Sequence, residues 1–274
     1  MLVKQAMNVL ELIEFFAERK RSASLAEVSA HFGWPRSSTF NILSTLVECG
    51  YLYEPRTRGS FYPTPRWLVL AHEISAAEPV PEPLVRLTWE LAELTGETAM
   101  IGAASGQYIV FIEVVESKAP VRYSAAVGKR APIHATGSGQ ALLSQMPEHQ
   151  RAALLRKATF ERYGSGSPMS VEAVQESIRL SLHRGWFVSA SSYSPDLGGV
   201  SVPVVLGDRM FAATVAGPLF RMQPRMPELA RILQNTVEAH LGRGFLARTV
   251  PALTLLADPS GADVTFGGVA EEKA

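Results

Sequence analysis

The sequence has 274 residues, 47% of them hydrophobic, which is enough to fill the cores of two domains of ordinary size and unlike the composition of a disordered chain. Formal net charge is zero, which argues against a uniformly basic nucleic-acid binder. The single cysteine, Cys49, excludes an intrachain disulfide framework and a multi-cysteine metal site, as expected for a cytoplasmic protein without metal or other cofactor.

The first twenty residues interrupt their apolar positions with Glu11, Glu14 and Glu18, so they are expected to be neither a signal peptide nor a membrane span. Ala6, Val9, Leu10, Ile13, Phe16 and Ala17 recur at helical spacing and predict a helix over 6–18. A second helix fits 25–31 and stops at Gly33. Pro35 starts a third helix, 35–48, with Thr39, Ile42, Leu43 and Leu46 on one face and Gly50 at its end. Aromatic-rich segments at 51–53 and 60–62 flank a Pro/Gly turn and read as a hairpin. Helix, helix, turn, helix and hairpin is the order of a winged helix-turn-helix. Between Arg19 and Arg66 there are seven basic and three acidic residues, a local excess of positive charge inside a neutral chain.

A helix over 67–77 precedes a proline-rich break at 79–83. Beyond it, Leu84, Leu87, Leu91 and Leu94 form one stripe of a helix ended by Gly96. Strands are expected at 98–104, 108–115, 121–127, 186–193, 200–206 and 210–216. Helices are expected at 139–146, 148–157, 171–184 and 226–241. Strands interspersed with helices indicate an α+β fold with a largely antiparallel sheet. The expected organisation is a DNA-binding domain at 1–65, a linker helix and hinge at 66–83, a second domain at 84–246 and a flexible tail at 247–274.

On the third helix, Ser37, Ser38, Asn41 and Ser44 point away from the apolar face. Short polar side chains suit a helix lying in the major groove, where Asn can pair with adenine and Ser can bond to bases or phosphates. Arg36 at the helix start, and Arg56 and Arg58 at the hairpin tip, are candidate phosphate contacts. Cys49 is expected to be a small buried residue. HATGSGQALL, beginning at His134, reads as a strand end, a Gly/Ser turn and a helix start. It could hold a carboxylate on backbone N–H groups, or could simply turn the chain with Ser138 as a helix cap. Tyr123 and Tyr193 are candidates for a pocket wall or for core. No HxxxH, GxSxG, P-loop or paired-carboxylate pattern is present. The alternatives are an enzyme on the second domain, and an interaction adaptor that uses the helix-turn-helix without DNA.

LAEVSAHFGWPRSSTFNILSTLVECGYL, LAELTGETAMIG, VVES, VGKRAPIHATGSGQALL, HRGW and VAGP follow one another in an order that resembles the IclR family of bacterial regulators, from residue 5 to about 245. The resemblance implies a winged helix-turn-helix joined by a linker helix to a GAF-like effector domain. It also implies a homodimer or dimer of dimers, a double-stranded DNA operator, no membrane association, and repression or activation of catabolic operons. By the same resemblance a small organic acid is held by His134, Thr136, Gly137, Ser138, Ser189, Gly199, Thr214 and Ala216. Gly199 and Ala216 leave room for a larger, aromatic acid. The chain departs from the family in Asn41, where an arginine is frequent, and in Ser191 and Ser192, where an acidic pair is usual.

Overall fold

The computed structural model describes residues 3–55 and 59–256, and the chain divides into two compact units between Pro79 and Val80. The first unit begins with α1 (Lys4–Arg19), β1 (Ala23–Ser24), α2 (Leu25–Phe32) and α3 (Arg36–Glu48). It closes with β2 (Leu52–Tyr53), β3 (Ser60–Pro63) and α4 (Arg66–Ala77). Leu12, Phe15, Phe16, Val28, Leu43, Leu46, Leu52 and Phe61 meet in its core. The two-residue strand β1 was not legible in the sequence; it pairs with β3, Ala23 opposite Phe61. Ser24 then ends β1 and caps α2: its hydroxyl accepts from the Glu27 N–H, and the Glu27 carboxylate accepts from the Ser24 N–H. These bonds, with the Arg19 guanidinium, hold the Glu27 carboxyl down at about 2. Gly33 stops α2 at φ +65°, a conformation that a Cβ would strain. Helix α4 buries none of its residues, and Leu68 and Ile74 are about three-quarters exposed.

The second unit opens with α5 (Glu82–Thr95), β4 (Thr98–Ser105), β5 (Tyr108–Val115) and β6 (Arg130–Pro132). Next come α6 (Gly137–Gln145), α7 (Glu148–Leu155), α8 (Val171–Arg184), β7 (Phe187–Ala190), β8 (Leu197–Leu206) and β9 (Arg209–Pro218). It ends with α9 (Leu219–Met222), a 3-10 turn at Gln223–Arg225, α10 (Met226–Leu241) and α11 (Phe245–Thr249). The strands form one antiparallel sheet in the order β6-β5-β4-β9-β8-β7. β8 and β9 are each buried over seven consecutive residues, so both faces of the sheet are covered there. Gly198 and Gly199 show the two sides. A Cβ on Gly198 would meet Met222 of α9, whereas one on Gly199 would point toward the Cβ atoms of Ser189 and Ala216.

Three expectations are corrected. Residues 121–127 are not a strand, because the open edge of β5 is taken by β6 and by the turn leading into it (Gly128 N–H to Phe111 C=O, Phe111 N–H to Lys129 C=O). Strand β7 stops at Ala190, since Ser191 takes a left-handed φ of 52° that breaks the extended run. Residues 247–256, assigned to a flexible tail, instead pack onto the second unit. Val250 and Leu253 are buried, and the Thr254 N–H donates to the Leu182 carbonyl.

Candidate functional site

Two regions gather the residues singled out by the sequence. The first is the outer face of α3. Thr39, Leu43 and Leu46 are buried on its inner side, while Arg36, Ser37, Ser38 and Asn41 are exposed and Ser44 is half-buried. Among the described residues, none of these five outward side chains has an intramolecular hydrogen-bond partner. The turn before α3 is held by a ring stack and a hydrogen bond. Phe32 stacks on Trp34 with ring centroids 4.2 Å apart, and the Ser29 hydroxyl donates to the Trp34 carbonyl at 2.7 Å.

The basic excess of this stretch is only partly available to a partner. Arg19 is paired with Glu27. Arg66 donates to the Cys49 carbonyl at 2.7 Å and lies over the Tyr51 ring, capping the negative end of α3. Arg56 and Arg58 lie outside the described residues. Cys49 is exposed rather than buried, because it caps α3 and faces outward.

The second region is a cavity in the second unit. Of the ten residues expected to hold an effector, Tyr123, Thr136, Gly137, Ser138, Ser189, Tyr193, Gly199, Thr214 and Ala216 line it. Sheet register explains the grouping. Ser189 lies opposite Gly199 and Gly199 opposite Ala216, which makes one row across three strands. In the next row Ser201 lies opposite Thr214, their hydroxyls 3.0 Å apart, and Thr214 opposite Met100. Ser201 and Met100 were missed. Period-two alternation from Gly199 would have found Ser201.

The N-terminus of α6 is aimed at this cavity. The Thr136 hydroxyl accepts from the Gly139 N–H at 3.0 Å, so Thr136 and not Ser138 is the cap. The N–H groups of Gly137 and Ser138 have no acceptor among the described residues. Both glycines are required by packing: a Cβ on Gly137 would lie 2.9 Å from the Val188 carbonyl carbon, and one on Gly139 2.1 Å from the Ile133 oxygen. The structure does not bring His134 to the cavity. Its ring is buried edge-on to Phe160, neither nitrogen has a partner, and burial pushes it below its ordinary pKa toward the neutral form.

Tyr123 comes from the loop that replaced the expected strand, and side chains moor that loop. The Thr98 hydroxyl donates to the Tyr123 carbonyl at 2.6 Å and accepts from the Ser117 N–H, and the Ser117 hydroxyl donates to the Gly96 carbonyl. Arg221 donates to the Val121 carbonyl and to both oxygens of Glu97, a carboxylate only 2% exposed. Gly217 must be glycine because a Cβ there would run into the Glu97 carboxylate. Glu97 of LAELTGETAMIG therefore pairs with Arg221, and Gly217 of VAGP makes room for its carboxylate. Burial pushes the Tyr123 phenol up to about 12, so it stays a neutral hydroxyl at physiological pH. The cavity has a volume of about 370 Å³, part of it open to solvent.

Residues 5–56 match the family described as IclR helix-turn-helix domain, and residues 80–240 the family described as Bacterial transcriptional regulator IclR C-terminal. The chain belongs to the IclR family. Its relatives include the acetate operon repressor of Salmonella typhimurium, 27% identical over 88% of this chain and 90% of that protein. They also include the transcriptional regulator XynR of Escherichia coli, 24% identical over 74% and 81%. Among solved structures, the Thermotoga maritima IclR shares the fold with a TM-score of 0.71 at 15% identity, covering 86% of this chain and 97% of that one. An IclR homologue of Microbacterium hydrocarbonoxydans complexed with 4-hydroxybenzoate matches with a TM-score of 0.62 at 19% identity, covering 86% and 99%. An IclR-family chain with this helix-turn-helix is a DNA-binding transcriptional regulator, and its named relatives are regulators and repressors rather than enzymes. Among the described residues, no helix is long and apolar enough to cross a membrane, and no cluster of ligating side chains could hold a metal ion.

Proposed function

We propose that this regulator binds a duplex operator through α3 and changes its DNA affinity when a small organic acid occupies the second-unit cavity. The observation that carries the proposal is the convergence of nine expected residues on one cavity at the N-terminus of α6. The carboxylate accepts from the free N–H groups of Gly137 and Ser138, helped by the helix dipole. The solved homologue with 4-hydroxybenzoate supports an aromatic acid as the ligand class. Gly199 adds room, since a Cβ there would meet only ordinary contacts at 3.4 Å and beyond. Tyr123 and Tyr193 line the same cavity and offer ring faces and hydroxyls to an aromatic acid.

The working unit is a cytoplasmic homodimer or a dimer of dimers. α4 has no buried residue, and its exposed Leu68, Val69 and Ile74 offer the apolar surface that a second copy would cover. Two copies of α3 would then meet half-sites about 34 Å apart, or a multiple of that. The test is gel shift on the DNA upstream of its own gene, with 4-hydroxybenzoate, benzoate and a two-carbon oxoacid added in turn. A change in DNA affinity with an aromatic acid is expected, and DNA must change the acid's affinity by the same factor. Tight binding of the oxoacid alone would overturn the ligand class, and DNA affinity unmoved by any bound acid would overturn the switch.

A further inference from the structure

Beside the outer face of α3 lies a groove lined by Lys4, Gln5 and Asn8 of α1 together with Pro35, Ser38 and Asn41. Its chemistry is one-sided, with a lysine and several neutral hydrogen-bonding groups but no carboxylate. α1 starts without a side-chain cap, on Val3, and carries no acid in its first turn. Within the described residues, neither a cap nor a first-turn acid offsets the positive end of this sixteen-residue helix. α2 shows the contrast, its N-terminus being satisfied internally by Ser24 and Glu27.

The deciding observation is Asn8. Its residue is only 8% exposed, it faces the groove, and its amide has no hydrogen-bond partner among the described residues. With the rest of the residue buried, the amide is the part of Asn8 left open on the groove, where it bonds to no described residue and is free to take a ligand. Core packing alone would be served better by an apolar residue, as at Leu12 one turn on, which is fully buried.

We infer that this groove seats one phosphate of the DNA backbone, with Lys4 supplying charge and the Asn8 amide, Ser38 and the first turn of α1 supplying donors. The inference rests on the DNA reading of α3 and deepens it. A phosphate here fixes the depth and tilt of α3, while Ser37 and Asn41 remain free for base edges. Nothing in the sequence alone singled out Lys4 or Asn8, because both fall on a helix read only for its apolar stripe.

The test is anisotropy of the full chain on two labelled duplexes, one from the DNA upstream of its own gene and one of mixed sequence, over a range of salt. Lys4→Ala should weaken binding to both duplexes and reduce the slope of log affinity against log salt by about 0.9, the value for one phosphate. Asn8→Asp, which adds a negative charge in the same shape, should weaken both about tenfold or more. A neutral methylphosphonate at the contacted position should weaken the wild type and leave Lys4→Ala unchanged. If Asn8→Asp fails to fold by circular dichroism, the exposed Lys4→Ala and the methylphosphonate decide. Wild-type slopes in both variants would overturn the inference while leaving DNA binding intact. Losses confined to one duplex sequence would also overturn it, since they would make the groove a base reader. Absence of salt-sensitive binding by the wild type would instead sink the reading of α3 on which it rests.

Discussion

The outer face of α3 and the cavity at α6 are both built from short polar side chains, but they stand in opposite states before any partner arrives. Ser37, Ser38 and Asn41 are exposed and bonded to no other described residue. In the cavity, Thr136 is bonded to the Gly139 N–H, and Ser201 to Thr214. DNA therefore meets side chains that exchange water for phosphate and base. An acid meets a preformed network and gains chiefly from the two N–H groups left open. The first kind of site tolerates sequence drift, whereas the second depends on close packing that a single methyl group can spoil.

The largest expected effect separates the two units. Arg221→Leu leaves Glu97 buried and unpaired, which costs about 3 kcal/mol. Hydrogen exchange should then rise in β4, β9 and α10 and stay unchanged in α3, with the salt slope for DNA retained. An equal loss of protection in α3 would show that the units are not independently stable. Gly137→Ala comes next: its Cβ meets the β7 backbone, overpacking costs about 1–3 kcal/mol, and acid binding should fall more than tenfold by calorimetry. Gly199→Ala is the sharper partner experiment. It should leave the melting temperature nearly unchanged, yet lower the affinity of aromatic acids more than that of two-carbon acids.

A smaller effect belongs to the first unit alone. Ser24→Ala removes the α2 cap at about 1 kcal/mol. The depressed Glu27 pKa gives a sign for pH. Its stabilisation is fully present above the ordinary carboxylate value of 4.5 and is lost as pH falls toward about 2. Acid titration of Glu27→Gln should therefore be flatter than that of the wild type over that window. The smallest effect is Arg36→Ala, which should reduce the salt slope by about 0.9 on any duplex. Asn41→Ala should leave the slope alone and relax base preference.

Legibility in the sequence followed the range of the interactions. Helices α1 to α3 and α8 were readable because their signals are local: apolar spacing, Gly33 as a left-handed stop, and Pro35 at a helix start. β1 was hidden because two residues carry no period. The segment 121–127 looked like a strand by composition, but it is held by side chains, the nearby Glu116 and the distant Thr98 and Arg221, rather than by a neighbouring strand. The cavity residues Ser189, Gly199, Thr214 and Ala216 came from family resemblance, and their meeting needed the register of three strands. His134 was placed with them by the same resemblance, as the start of the α6 turn. Its ring turns instead toward Phe160, which only tertiary packing could reveal.

Everything in the regulatory reading depends on α3 entering a groove of duplex DNA. Anisotropy of the full chain on the duplex upstream of its own gene, with wild type and Asn41→Asp compared across salt, tests this most directly. We expect tight binding whose log affinity falls linearly with log salt, and release of the duplex when the aspartate carboxylate is placed on the outer face of α3. Binding indifferent to both salt and Asn41→Asp would contradict the placement of α3 against DNA.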